Sequence, residues 1–89
     1  MRLIFAPQAW EDYRFWSDTD RAVLKRVNRL IDDMLRDPHS GIGKPEPLKY
    51  GIPGAWSRRI TDEQRLVYRV QDDDLLILQV RYHYSRYRD

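Results

Sequence analysis

Apolar residues recur along this chain at helical spacing in its first part and at strand spacing in its last. "RLIF" (2–5) reads as a short strand. Pro7 then suits the first turn of a helix, where its missing N–H costs nothing. Trp10, Tyr13 and Trp16 fall three apart, which predicts a helix over 7–17 with the aromatics along one face. "SDTD" (17–20) supplies an N-cap and first-turn carboxylates for a second helix. Val23, Val27, Leu30, Ile31 and Met34 give it an apolar stripe over 19–36, and Pro38 stops it. The stripe covers under three heptads, which favours a core face over a coiled coil. Three strands follow: "WSRRI" (56–60), "RLVYRV" (65–70) and "LLILQVRYHY" (75–84). The short "TDEQ" and "DDD" between them predict an antiparallel meander, with both helices on one of its faces. The fold class is therefore α+β: an N-terminal strand and two helices packed on a mainly antiparallel twisted sheet.

Between the helices and the meander the character changes. All four glycines and four of the five prolines lie in "PHSGIGKPEPLKYGIPG" (38–54). This is a series of turns, not a flexible linker. Prolines on both sides of Glu46 restrict its backbone, and a restricted loop can hold a side chain in a set position. The plainer alternative is a surface connection with ordinary turn chemistry.

Alternation assigns faces to the strands. A three-residue "DDD" loop would pair Gln71 with Leu75, Val67 with Gln79 and Arg65 with Arg81. Leu66, Tyr68, Val70, Leu76, Leu78 and Val80, with Tyr82 beyond them, would then face the core. Arg65, Arg81 and His83 would gather near one end of the other face. For the preceding hairpin, an odd-length loop sets Arg59 opposite Arg65. An even one would drive Arg59 into the core, and an unpaired buried guanidinium is too costly. Like charges facing each other destabilise a sheet. Arg59, Arg65 and Arg81 thus call for a negative partner: Glu46, Asp62 or Glu63 within the chain, or a phosphate outside it.

Composition sharpens this picture in few places. At 89 residues the chain is one domain with one modest core. It has no cysteine, hence no disulfide, thiolate metal site or cysteine nucleophile. Neither a secretory signal nor a run of ~18–20 apolar residues is evident, so the expectation is a soluble cytoplasmic protein without a membrane span. The net charge is only +2, but residues 44–69 carry six basic and three acidic side chains. Thirteen of the sixteen basic residues are arginine, whose planar fork matches phosphate and stacks on bases. His39 and His83 make a poor metal site, and the prolines of "GIGKPEP" block a phosphate-binding helix start.

The chemistry these residues could perform is metal-free cleavage of an RNA phosphodiester. That needs a base for the 2′-OH, cations around the phosphorane and an acid for the leaving 5′-oxygen. Glu46 and Lys49 in the restricted loop, Arg59 and Arg65 in the hairpin and His83 in the last strand are the candidates. Lys44, Trp56, Arg59, Arg65 and Arg81 are the candidates for holding RNA, the tryptophan by stacking. A non-catalytic RNA- or rRNA-binding module would need the cations but neither Glu46 nor His83.

"GKPEPLK" (43–49), "WSRRIT" (56–61), "RLVY" (65–68) and "YHY" (82–84), preceded by W-x-D-Y-x-x-W at 10–16, resemble the YoeB toxins of the RelE/ParE superfamily. The resemblance runs from about residue 2 to 84. It implies a small RelE-like fold and the toxin half of a type II toxin–antitoxin pair, a ribosome-dependent endonuclease that cuts mRNA in the A site through the 2′-OH, with no metal or other cofactor. It implies Glu46 as general base, Lys49 at the phosphate, Arg59 and Arg65 at the transition state, His83 as general acid and Tyr84 holding the substrate. All six match by residue type. It also implies a YefM-like antitoxin with an acidic C-terminal segment, a toxin homodimer, and the ribosome and mRNA as further partners. An inactive homologue kept for antitoxin binding is the family's alternative. Family members commonly end near Y-H-Y, which divides this chain into a toxin domain (1–84) and an extension, "SRYRD" (85–89).

Overall fold

The computed structural model describes residues 1–82. Strand β1 (Arg2–Phe5) leads into helix α1 (Pro7–Thr19) and helix α2 (Arg21–Arg36). Strands β2 (Glu46–Pro47), β3 (Trp56–Arg59), β4 (Arg65–Gln71) and β5 (Asp74–Gln79) follow. They form one sheet in the order β1-β5-β4-β3-β2. β1 runs parallel to β5, and every other pair is antiparallel. The expected α+β architecture is present, with one strand added by the proline-rich loop.

Local chemistry explains the element ends. Pro7 opens α1. The Asp20 side chain accepts the Val23 N–H at 3.1 Å and so caps α2. The carboxylates expected in the first turn of α2 are absent, because the cap falls on Asp20, the last acidic residue of "SDTD", and the helix starts after it at Arg21. Val27, Leu30, Ile31 and Met34 from its stripe are buried against Leu66, Tyr68, Leu75, Ile77 and Val80 of the sheet segment. Each such apolar side chain contributes about 1.5–3 kcal/mol relative to exposure.

The β4–β5 hairpin departs from expectation. Its loop has two residues, Asp72 and Asp73, and pairs Gln71 with Asp74. Asp72 takes the left-handed conformation (φ 57°) that such a tight turn requires. One residue is then recovered by a bulge: Tyr68 faces Ile77 while Val67 faces Gln79, with Leu78 the extra residue. The pairing at Val67 is as expected, but between bulge and turn the faces of β5 are exchanged. Leu75 and Ile77, not Leu76 and Leu78, meet the helices, and Val70 is exposed. β5 also stops at Gln79, so the expected strand to residue 84 is shorter.

Arg58 is the least expected core residue. Alternation along β3 turns it toward α2, where it is fully buried. Its Nη1 donates to Asp33 Oδ2 (2.6 Å) and the Ile42 carbonyl (3.1 Å). Nη2 donates to the carbonyls of Asp37 (2.7 Å) and Ser40 (2.9 Å), and Nε to the Tyr68 hydroxyl (3.1 Å). Tyr68 in turn donates to the Pro38 carbonyl at 2.6 Å. Each N–H of the guanidinium thus has an acceptor, the condition under which a buried cation is tolerated.

Two outcomes test this arrangement. Arg58→Ala removes a donor from the Asp33 carboxylate, the Tyr68 hydroxyl and three carbonyls, and urea denaturation should show a loss of about 3–5 kcal/mol. A loss below about 1 kcal/mol would mean the network does not hold the loop. The second outcome concerns pH. The Arg58 hydrogen bond above all, then the Ile42 N–H and Arg36, hold the Asp33 carboxyl at about 2 against an ordinary 3.8. A depressed carboxyl adds stability above 3.8 that is lost as pH falls toward 2. Unfolding midpoints should drop through that window, and the drop should be shallower in Asp33→Asn.

Candidate RNA-cleaving face

The side of the sheet away from the helices is built by register. Glu46 lies opposite Ser57, Ser57 opposite Val67, and Val67 opposite Gln79. Two positions along, Arg59 lies opposite Arg65. Cross-strand neighbours project to one side, so Glu46, Arg59 and Arg65 share a face. The five-residue loop 60–64 is the odd-length connection expected from the cost of burying Arg59. The centre of this face is closed: Ser57, Val67 and Gln79 are buried, whereas Glu46 and Arg59 at its edge are exposed.

The two arginines differ in their surroundings. Arg65 is only 8% exposed, and its Nη1 donates to the carbonyls of Thr61 (2.7 Å), Asp62 (2.9 Å) and Gln64 (3.2 Å). These acceptors are neutral, so they orient the guanidinium without cancelling its charge. Arg59 is exposed, and its backbone is tied down instead: its N–H reaches the Gly43 carbonyl at 2.7 Å, and its carbonyl accepts from Arg26 Nη2 at 3.3 Å. Among the described residues, neither arginine forms an ion pair with Glu46, Asp62 or Glu63. The like charges are therefore left without a carboxylate, a state that favours an anion from outside.

The loop supplies the remaining cations. Lys49 is exposed two residues after β2. Lys44 is exposed and left-handed (φ 52°). Lys44 and Arg59 line an open cavity of about 390 Å³ with Arg26, Gly43, Ile60, Thr61 and Asp62. Arg26 belongs to α2 and is not among the candidates that the sequence offers. No local pattern marks it, because its role comes from how α2 meets the end of β3.

Two candidates for holding RNA stand elsewhere. Trp56 lies opposite Tyr68 on the helix-facing side, packs on the core and meets the His39 ring at 4.6 Å between centroids, tilted by 41°. It cannot offer a stacking face beside Arg59, because adjacent strand residues alternate. Arg81 lies past the end of β5, with its guanidinium 3.4 Å from the centroid of the Phe15 ring on α1 and 4.6 Å from that of Tyr82. The cation–π contacts hold it toward α1 instead of opposite Arg65. Tyr82, expected on the core face, is exposed. His83, Tyr84 and the extension 85–89 lie outside the described residues. Among the described residues, no group of three His, Asp or Glu side chains is placed to hold a metal ion. No helix there is long and apolar enough to cross a membrane.

Comparison with solved structures gives the class. A YoeB dimer from Staphylococcus aureus matches with TM-score 0.87 and 42% identity, over 94% of this chain and 98% of that one. The heterotetrameric YoeB–YefM toxin–antitoxin complex from the same organism matches with TM-score 0.84, the same identity and the same coverage. The domain is of the bacterial toxin class found in such pairs. The family model described as "YoeB-like toxin of bacterial type II toxin-antitoxin system" matches residues 5–84. Toxin YoeB of Streptomyces coelicolor is 58% identical over 84 residues, 94% of this chain and 100% of that protein. The chain belongs to the YoeB-like toxins of type II toxin–antitoxin systems.

The division of the two faces has a measurable consequence. Arg59→Ala should weaken binding of a single-stranded RNA oligonucleotide and make the dependence of log K on log salt shallower by about 0.7. Trp56→Leu should leave affinity and slope unchanged while lowering the unfolding midpoint.

Proposed function

We propose that this toxin is a ribosome-dependent, metal-independent mRNA endonuclease. The observation that carries the reading is the cross-strand register that sets Glu46, Arg59 and Arg65 on one face, with both arginines lacking a carboxylate partner among the described residues. Glu46 takes the proton from the 2′-OH of a nucleotide held in the ribosomal A site. The resulting 2′-oxygen attacks the adjacent phosphorus. Lys49, Arg59 and Arg65 stabilise the charge that builds on the phosphorane oxygens. His83 donates a proton to the departing 5′-oxygen, leaving a 2′,3′-cyclic phosphate and a free 5′-hydroxyl. Tyr84 holds the substrate beside it.

The partners follow from the same face. A YefM-like antitoxin covers the cationic side with an acidic segment that folds on binding; a YefM partner is supported by the heterotetrameric YoeB–YefM complex of the Staphylococcus aureus relative. A homodimer is proposed by the same route. The site of action is the cytoplasm, where ribosomes and mRNA are. Residues 1–84 form the toxin domain, and 85–89 extend it.

Cleavage of ribosome-bound mRNA tests the assignment. Glu46→Ala and His83→Ala should each lower the cleavage rate by roughly 10²–10⁴-fold while ribosome binding is kept. Wild-type rates in both variants would remove Glu46 and His83 from the reaction, and absence of cleavage by the wild-type chain, with ribosome binding intact, would reduce the domain to an RNA-binding module.

A further inference from the structure

The W-x-D-Y-x-x-W stretch of α1 is not used by the chemistry above, yet two of its side chains are buried against the chain that leads into His83. Asp12 is 2% exposed, and its Oδ2 accepts the Val80 N–H at 3.0 Å. Trp16 donates its indole N–H to the Val80 carbonyl at 2.6 Å. Gln8 holds the other Asp12 oxygen at 3.0 Å. Two residues on, Tyr82 is gripped in the same way. Its N–H donates to the Gln64 side-chain oxygen. Its carbonyl accepts from the Arg65 N–H at 2.8 Å and from the Gln79 side chain at 2.9 Å.

Tyr82 has φ 66°, the left-handed region that residues with a side chain rarely occupy. Such a conformation persists only where the surroundings over-determine it, and it clusters at functional sites. Here the surroundings are α1, the β3–β4 turn and β5, three elements converging on residues 80–82 after the sheet ladder has ended at Gln79. Satisfying backbone groups is a general need. It does not by itself require a left-handed tyrosine one residue before the proposed acid.

We propose that Gln64 is a positioning residue for His83. With Asp12 and Trp16 fixing Val80, the Gln64 oxygen fixes the Arg81–Tyr82 peptide while the Arg65 N–H and the Gln79 side chain fix the Tyr82 carbonyl; the two holds together keep Tyr82 left-handed and set the direction in which the chain leaves it. The proposal rests on the reading of His83 as general acid. Gln64 suits a test because it sits in a surface turn whose own backbone bonds, Ile60 N–H to the Gln64 carbonyl (3.0 Å) and Gln64 N–H to Thr61 Oγ1 (3.1 Å), survive its truncation.

The experiment is single-turnover cleavage of a defined mRNA on ribosomes by the full chain. Gln64→Ala should slow cleavage by roughly 10- to 100-fold, with the half-saturating toxin concentration within about 2-fold of wild type and the unfolding midpoint close to it. Gln64→Glu, which keeps an acceptor oxygen for the Tyr82 N–H, should recover most of the rate. In a His83→Ala background Gln64→Ala should cost nothing further, since the group it positions is gone. Wild-type cleavage by Gln64→Ala, or an undiminished loss in the His83→Ala background, overturns the positioning role and leaves the catalytic reading standing. Wild-type cleavage by His83→Ala alone overturns the catalytic reading and the positioning role with it.

Discussion

The buried guanidinium of Arg58 is the constraint on which the placement of this site depends. Desolvating a cation is expensive, and it is tolerated here because five acceptors surround it. Three of those are backbone carbonyls, of Asp37, Ser40 and Ile42, that belong to no helix or strand interior. The end of α2 and the first half of the loop are therefore wrapped around a side chain of β3. Two glycines make the wrapping possible. A side chain at Gly41 would strike the Asp33 carboxylate, and one at Gly43 would meet Leu30 and the Arg59 carbonyl. Both positions have φ in the range glycine favours. From Gly43 the chain can only continue alongside β3, which is how Glu46 comes to lie opposite Ser57. A core interaction thus sets the position of a surface carboxylate.

Adjacent arginines on β3 illustrate how the sheet separates stability from chemistry. Arg58 and Arg59 point to opposite sides. The first is neutralised by Asp33 at 2.6 Å and holds the fold. The second meets no carboxylate among the described residues. Arg65 completes the contrast: it is nearly as buried as Arg58 but is satisfied by neutral carbonyls. Carbonyl dipoles lower the cost of holding the cation in place while its full charge continues to act on the surroundings. An enzyme that must stabilise a phosphorane gains from cations held this way, because little reorganisation is left for the moment of reaction.

Much of this was legible in the sequence wherever one physical rule dominated. The stripe of α2 follows from periodicity, the Pro7 start from proline's missing N–H, and the Arg59–Arg65 pairing from the cost of an unpaired buried charge. What escaped was decided by long-range partners. The cost of an unpaired buried charge keeps Arg59 out of the core, whereas Arg58 enters it with Asp33, 25 residues earlier, as counter-ion. The faces of β5 differ from simple alternation because a two-residue turn and a compensating bulge cancel in residue count, so Val67 still meets Gln79 while Leu75 and Ile77 exchange roles with Leu76 and Leu78. Trp56 followed the alternation that was applied to Arg59 but not to it. Arg81 was drawn away by an aromatic ring on α1 that no spacing rule connects to it.

The end of the sheet raises a geometric problem that the last described residues solve. With Val67 opposite Gln79, an uninterrupted ladder would set residue 81 opposite Arg65, the first residue of β4. Anything beyond 81 would leave the sheet with no strand beside it. A side chain at 83 would then hang from an unsupported extended segment, free to swing on the scale of several ångströms. The structure instead bends at Val80 and turns left-handed at Tyr82, so that the Tyr82 carbonyl returns to the Arg65 N–H. The ladder bonds given up in the bend are replaced by Asp12, Trp16, Gln64 and Gln79. Tyr82 is thereby anchored to the backbone of Arg65, the arginine proposed to act on the phosphate. Under the proposed mechanism the cation and the chain leading to the acid have one support in common, the Arg65 backbone, in place of the stiffness of a free strand end.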